Sequence, residues 1–285
     1  MTDITAGSSR VALAAARERL DALVRQLGAG ADPVDGRASV VRLAEDLVRV
    51  TALLGSQRTL LRAVADPGAS PEARAALLAR VLGEQVGPDA LDLLSGVVRD
   101  RWSAERHLAI AIGQLAAEAF LAVAELDGDL DRVEDELFRV ARTVAGNAEL
   151  ALTLSSPAVS TQRKVALLRA LLAGKAHPVT VSLSVQAVTD TGGRGLDERL
   201  DALVRQAAAR RSRLVAVVRV AQLPTDAQAD RLAAALSAQA GRTVGLQIVL
   251  DPAVLGGVVV ELGGEVIDGS VAHRLAAARN RLART

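Results

Sequence analysis

The chain has 285 residues, 34 Lys or Arg against 33 Asp or Glu, and a formal net charge of +1 with the two signs interspersed. Half of it is hydrophobic but only 1% is aromatic, with one Trp, two Phe, no Tyr and no Cys. That is enough apolar material for one core or two in tandem, packed by Leu, Val and Ala. It argues against nucleic-acid binding, which relies on basic runs and stacking faces, and it excludes disulfides, thiolate nucleophiles and Cys-ligated metal.

The segment Met1–Arg10 is polar and lacks an apolar h-region, so no signal peptide is expected. Leu13, Ala16, Leu20, Leu23, Val24 and Leu27 then recur at helical spacing. Gly28 to Arg37, with three Gly, a Pro and two Asp, reads as a loop, and a second helix is expected from about Ala38 to Leu54. Asp66-Pro67-Gly68 breaks the next helix. Ser70-Pro71-Glu72 reads as an N-cap with Pro in the first turn, opening a helix that ends near Gly83. Gly87-Pro88 starts another, to about Arg101. A long helix is expected from about Ser103 to Leu126, stopping at Asp127-Gly128. No uninterrupted apolar run approaches the roughly 20 residues of a membrane span, so no direct membrane insertion is expected.

The pattern then recurs with an offset of 90 residues. Arg42, Leu47, Arg49 and Val50 pair with Arg132, Leu137, Arg139 and Val140. Pro67 pairs with Pro157, Ser70 with Ser160, Ala76-Leu77-Leu78 with Ala166-Leu167-Leu168, and Pro88 with Pro178. Helix breakers and core positions coincide in order without gaps, which predicts two helical bundles in tandem with the long Ser103–Leu126 helix as a candidate shared element. After about Arg211 the period becomes two, with Leu214, Ala216, Val218 and Val220 alternating. A helix over Thr225–Ala240, strands over Thr243–Leu250 and Gly256–Leu262, a Gly263-Gly264 turn into Val266-Ile267 and a last helix from about Ser270 follow. The expected fold is therefore mainly α: a duplicated helical bundle, then a small α/β domain of order β-α-β-β-α.

The residues offer little chemistry. Gly256-Gly257 and Gly263-Gly264 lead into strand-like Val residues, so they gather no helix N-terminus around a phosphate. Gly28-Ala-Gly30 leads into loop, and Gly192-Gly193-Arg194-Gly195 lacks dinucleotide-binding spacing. His107, His177 and His273 are far apart and at no metal-ligand spacing. His177, before Pro178, reads as solvated. Asp268 and Ser270, near His273, read as helix caps in preference to a nucleophile and base. Glu134-Asp135-Glu136, with Arg132 and Arg139 nearby, reads as a solvated helix face. Trp102 reads as a core anchor. No catalytic, cofactor or metal site emerges, which favours a binding or scaffold protein.

The stretch Leu250-Asp-Pro-Ala-Val-Leu-Gly-Gly-Val-Val-Val-Glu-Leu-Gly-Gly-Glu-Val-Ile-Asp-Gly-Ser-Val-Ala-His-Arg-Leu275 resembles the signature of the ATP synthase delta subunit and oligomycin-sensitivity-conferring protein family. In it Gly256, Gly257, Gly263, Gly264, Asp268, Gly269 and Ser270 are the structural positions: glycines for bends, close approach and hairpin, Asp and Ser for capping. Gly128-Asp-Leu-Asp-Arg-Val-Glu-Asp-Glu-Leu137, Leu154-Ser-Ser-Pro157 and Arg213-Leu-Val-Ala216 look like the same family in order and spacing. The resemblance covers about Gln114 to Leu282. The extra N-terminal length is similar to the extended form of actinobacterial delta subunits. It divides the chain into a helical extension (1–103, a partial duplicate), a delta-type bundle (104–211) and a small α/β domain (212–285).

The resemblance implies a non-catalytic connector in the peripheral stalk of a proton-translocating F-type ATP synthase, within a hetero-oligomeric complex. It implies a peripheral location on the cytoplasmic face of the plasma membrane. The implied partners are the N-terminal helices of the alpha subunits, held by the helical domain, and the C-terminal end of the b subunit, held by the C-terminal domain. A connector of this kind takes a helix into a groove. The candidate groove residues are Ala116, Phe120 and Val123 on the long helix, and Val181 and Val185 on the helix from Pro178 to about Thr189. The rival readings are an unrelated helical adaptor and a small-molecule enzyme using the C-terminal α/β unit.

Overall fold

The computed structural model describes residues 7–28, 33–190, 195–212, 215–240, 244–252, 254, 256–262 and 265–270. Two compact units divide the chain, residues 1–207 and 208–285. The described residues of the first unit form helices α1 (Gly7–Gly28), α2 (Pro33–Ser56), α3 (Arg58–Val64), α4 (Pro71–Leu82), α5 (Pro88–Arg99), α6 (Glu105–Leu126), α7 (Leu130–Gly146), α8 (Ala148–Ser155), α9 (Thr161–Leu172) and α10 (Pro178–Thr189). Helix α11 (Leu196–Ser212) runs across the boundary.

The 90-residue offset in sequence is an offset in structure. Helices α4 and α9 are 90 residues apart at both ends, and so are α5 and α10. The same local chemistry starts each pair. Ser70 Oγ accepts from the Ala73 amide at 3.1 Å, and Ser160 Oγ accepts from the Arg163 amide at 3.4 Å, each satisfying a donor that the first helical turn leaves free. Pro88 and Pro178 open α5 and α10, where a missing N–H costs nothing. The buried faces also correspond: Ala90, Leu93, Leu94, Val97 and Val98 on α5, and Thr180, Leu183, Ser184, Ala187 and Val188 on α10.

Helix α2 begins at Pro33, earlier than the expected Ala38, so Asp35, Gly36 and Arg37 are helical. The glycine content that suggests a loop has a packing cause. A Cβ on Gly36 would stand 2.5 Å from the Leu27 carbonyl oxygen, so the first turn of α2 closes on the end of α1 only without a side chain there.

Helix α6 is the centre of the unit. Every residue from Leu115 to Ala124 is buried. Such a helix needs neighbours on all sides, and it has them: α1 and α2 pack on it from the first repeat, α7 and α10 from the second. By length and composition α6 is apolar enough to cross a membrane. Reading for uninterrupted apolar runs passes over it, because Gln114 and Glu118 interrupt the stretch. Its apolarity here serves two layers of helices. Trp102, just before α6, is 5% exposed and donates from Nε1 to the Val97 carbonyl at 2.9 Å, so it is the expected anchor.

In the second unit β1 (Val215–Val220), α12 (Asp226–Ala240), β2 (Gly245–Leu250), β3 (Val258–Leu262) and β4 (Glu265–Asp268) build a mixed sheet of order β2-β1-β3-β4. Strands β1 and β2 are parallel, with α12 between them in the chain; β1–β3 and β3–β4 are antiparallel. The period-two alternation of β1 delivers Ala216, Val218 and Val220 to the core beside Leu236, Val244 and Val260. At the start of α12, Gln228 Oε1 accepts from the Thr225 amide at 2.9 Å, one half of a capping box. Val266 and Ile267 belong to β4, a strand beyond those expected from the sequence. Gly263, Gly264 and the expected last helix lie outside the described residues.

Candidate functional site

The two helices expected to wall a groove are neighbours. Helix α10 packs on α6, and Gln186 Nε2 donates to the Gly113 carbonyl at 2.8 Å. On α6, Ala116, Phe120 and Val123 are 0%, 6% and 1% exposed, so their side chains belong to the interior of the unit. On α10, Val181 and Val185 are half-buried and share a stripe with Ser182, Gln186 and Thr189, beside the fully buried face.

The start of α10 is held by a carboxylate that sequence reasoning assigns to the solvent. Glu136 on α7 is 5% exposed. Its Oε2 accepts from the His177 amide and from Thr180 Oγ1, both at 2.7 Å, while Oε1 accepts from Arg132 Nε at 2.9 Å. Burial pushes this carboxyl up, but the Thr180 hydroxyl, the His177 amide and the Arg132 guanidinium together hold it below the ordinary carboxylate range. Only Asp135, paired with Arg139 at 3.0 Å, follows the solvated-face reading. His177 departs from expectation too. It is 7% exposed, and its Nδ1 accepts from the Val179 amide at 3.2 Å.

The first repeat carries the same device. Asp46 on α2, 90 residues before Glu136, accepts at Oδ2 from the Gly87 amide at 2.8 Å, the residue before Pro88, and its Oδ1 is held by Arg49. It lines a cleft of about 480 Å³ between α2 and the start of α5. The sequence signal was available: the offset aligns an acid with an acid and the residue before one proline with the residue before the other. It escapes a search for identical residues because Asp46 and Glu136 differ by a methylene, and Gly87 and His177 share only a backbone amide.

Two polar clusters join the ends of α6. At its start Ser9 Oγ lies 2.7 Å from Ser103 Oγ, and both hydroxyls are 3.1 Å from His107 Nδ1. Burial, with Arg106 adding to it, pushes the His107 imidazole below its ordinary pKa. At its end Arg37 donates to both oxygens of Asp127, at 2.5 and 2.8 Å, and His177 Nε2 lies 3.7 Å from carboxylate oxygens of Asp127 and of Asp129. No group of His, Asp and Glu suited to a metal ion is found among the described residues.

In the second unit Gly256 and Gly257 have φ of 146° and 80°. A Cβ on Gly257 would meet the Gly269 carbonyl oxygen at 2.5 Å, so this pair provides both the bend and the close backbone approach that the glycines suggest. The Gly269 amide donates to the Val258 carbonyl at 2.9 Å. Asp268 Oδ1 accepts from the Ser270 amide at 2.9 Å, closing a local turn at the end of β4.

The sequence pattern of the ATP synthase delta (OSCP) subunit family matches residues 114–282, from the middle of α6 onward. Full-length similarity extends over the first repeat as well. The ATP synthase subunit delta of Parafrankia sp. (strain EAN1pec) is 50% identical over 98% of this chain and 99% of its own. That of Streptomyces griseus is 48% identical over 97% and 98%. Among solved structures, a chain of the Toxoplasma gondii mitochondrial ATP synthase hexamer, determined by cryo-EM, is 25% identical, covering 60% of this chain and 96% of that one, with a TM-score of 0.32. The family pattern over residues 114–282 and identity near one half along nearly the whole chain lead to one assignment: this chain belongs to the ATP synthase delta (OSCP) subunit family, whose members are non-catalytic stalk subunits.

Proposed function

We propose that the protein is the peripheral-stalk connector of an F-type ATP synthase, holding N-terminal helices of the alpha subunits with its helical unit and the C-terminal end of the b subunit with its α/β unit. On this reading it is peripheral to the plasma membrane, on the cytoplasmic face, and resists rotary torque without taking part in the chemistry. The observation that carries the reading is the identity of 50% along 98% of the chain to an ATP synthase subunit delta. The α10 stripe fits a helix-in-groove contact, since Val181 and Val185 stand half-open beside the α6–α10 junction and present apolar anchors about one turn apart. Because Phe120 is interior, the α10 valines are the positions that separate docking from folding.

Titration calorimetry with a peptide from the cognate alpha-subunit N-terminus tests the proposal. Saturable one-to-one binding is expected, weakened tenfold or more by Val185→Asp, a loss of roughly 1.4 kcal/mol or more, with the helical circular dichroism unchanged. A soluble peptide that fails to bind the folded wild-type chain would refute the alpha-subunit contact.

A further inference from the structure

We propose that α6 couples the two helical repeats into one cooperative body, so that residues 1–103 act as an in-chain brace on the helix they share with the second repeat. The first repeat is α1 to α6 and the second is α6 to α11, so one helix is the last of one bundle and the first of the next. Residues of both repeats meet on it at the same positions. Gly113 faces Thr51 of α2, where a Cβ would lie 3.4 Å from Thr51 Cγ2, while its carbonyl accepts from Gln186 of α10. Asp127, at the C-terminal end, is gripped by Arg37 of α2 and faced by His177 at the start of α10. Glu118, 3% exposed in the middle of the helix, accepts from Arg17 of α1 at 2.6 Å.

Opening the first repeat therefore uncovers apolar surface, a buried acid and an ionic pin on a helix that the second repeat needs. Independent opening of either repeat is disfavoured, and the two exchange with solvent together. A brace of this kind would stiffen a connector at the point where two of its helical layers meet, whatever partner it holds.

Hydrogen exchange of the full chain, followed by mass spectrometry under conditions where opening is a rapid pre-equilibrium, tests the coupling. Leu78 in α4 is fully buried, and α4 lies chiefly on α5 and α3. Leu78→Ala is expected to speed the slowest amides of α4 and α5 by about tenfold or more, and those of α9 and α10 by the same factor. The counterpart Leu168→Ala in α9 is expected to act in reverse, on both repeats alike. Should either variant fail to fold, Leu78→Val and Leu168→Val are read in the same way. Acceleration confined to the repeat that carries the substitution would overturn the proposal.

Discussion

Replacing Glu136 with Ala removes the acceptor of two donors buried at the start of α10, the His177 amide and the Thr180 hydroxyl. Each buried donor left without a partner costs about 1–3 kcal/mol, so a loss of roughly 2–6 kcal/mol is expected. Glu136→Gln is the informative control. Its amide oxygen can take the place of Oε2 and keep both donors, while the ion pair with the largely exposed Arg132 is lost, worth about 0.3–0.5 kcal/mol. Urea unfolding followed by the fluorescence of Trp102, the single Trp, reads both variants.

The pH dependence supplies a second axis. The folded-state pKa of Glu136 lies below its unfolded value, so its contribution is complete above the ordinary Glu pKa of about 4.3 and disappears as pH falls through the folded value. The stability difference between wild type and Glu136→Gln should therefore shrink on acidification below about pH 5. Equal losses for Ala and Gln at neutral pH would refute the account, because Gln keeps the shape and an acceptor oxygen, so the charge of the carboxylate, not its acceptance of the two buried donors, would then be what α10 requires.

Asp46→Ala leaves one half-buried amide of the first repeat, that of Gly87, without its carboxylate partner but open to water, and should cost about 0.5–1.5 kcal/mol, less than Glu136→Ala in the same urea assay. His107 is held below its ordinary pKa, so its contribution is complete above about pH 6.5 and is lost as pH falls through the folded value. A His107→Gln variant should accordingly show a flatter stability profile than wild type below pH 6.5, and parallel profiles would contradict the assignment. Gly257→Ala places a Cβ against the Gly269 carbonyl at a positive φ and should destabilise the α/β unit by about 1–3 kcal/mol, read as faster hydrogen exchange at Val259 and Val260.

What the sequence makes legible here is whatever depends on period and on punctuation. The helix of Pro178–Thr189 is readable to its ends because Pro fixes one terminus and the offset to Pro88 fixes the frame. The inward set Ala216, Val218 and Val220 follows from a period of two with Val on both faces. Positions where a residue is chosen for its neighbour are not readable in this way. Gly36 looks like loop and is helix, because its role is to admit the Leu27 carbonyl, a contact that no local pattern encodes. His177 and Glu136 look like surface and are interior for a related reason. A histidine before proline and an acid among acids are ordinary solvent-facing patterns, and only the packing of α7 on α10 brings them together.

The candidate groove shows the same limit from the other side. Apolar residues at helical spacing mark a buried stripe on α6, but spacing cannot say how many neighbours bury it. A helix serving one bundle would show its stripe to one side and leave the rest polar; α6, serving two, is apolar on nearly every side. That difference is visible in its composition, where only Gln114 and Glu118 interrupt the run from Leu108 to Ala124. Glu118 itself is met by an arginine of the first repeat. The excess of apolarity over what one bundle needs is thus the trace of the second. It places Ala116, Phe120 and Val123 inside the body and leaves Val181 and Val185, on the helix that belongs to one repeat alone, half-buried.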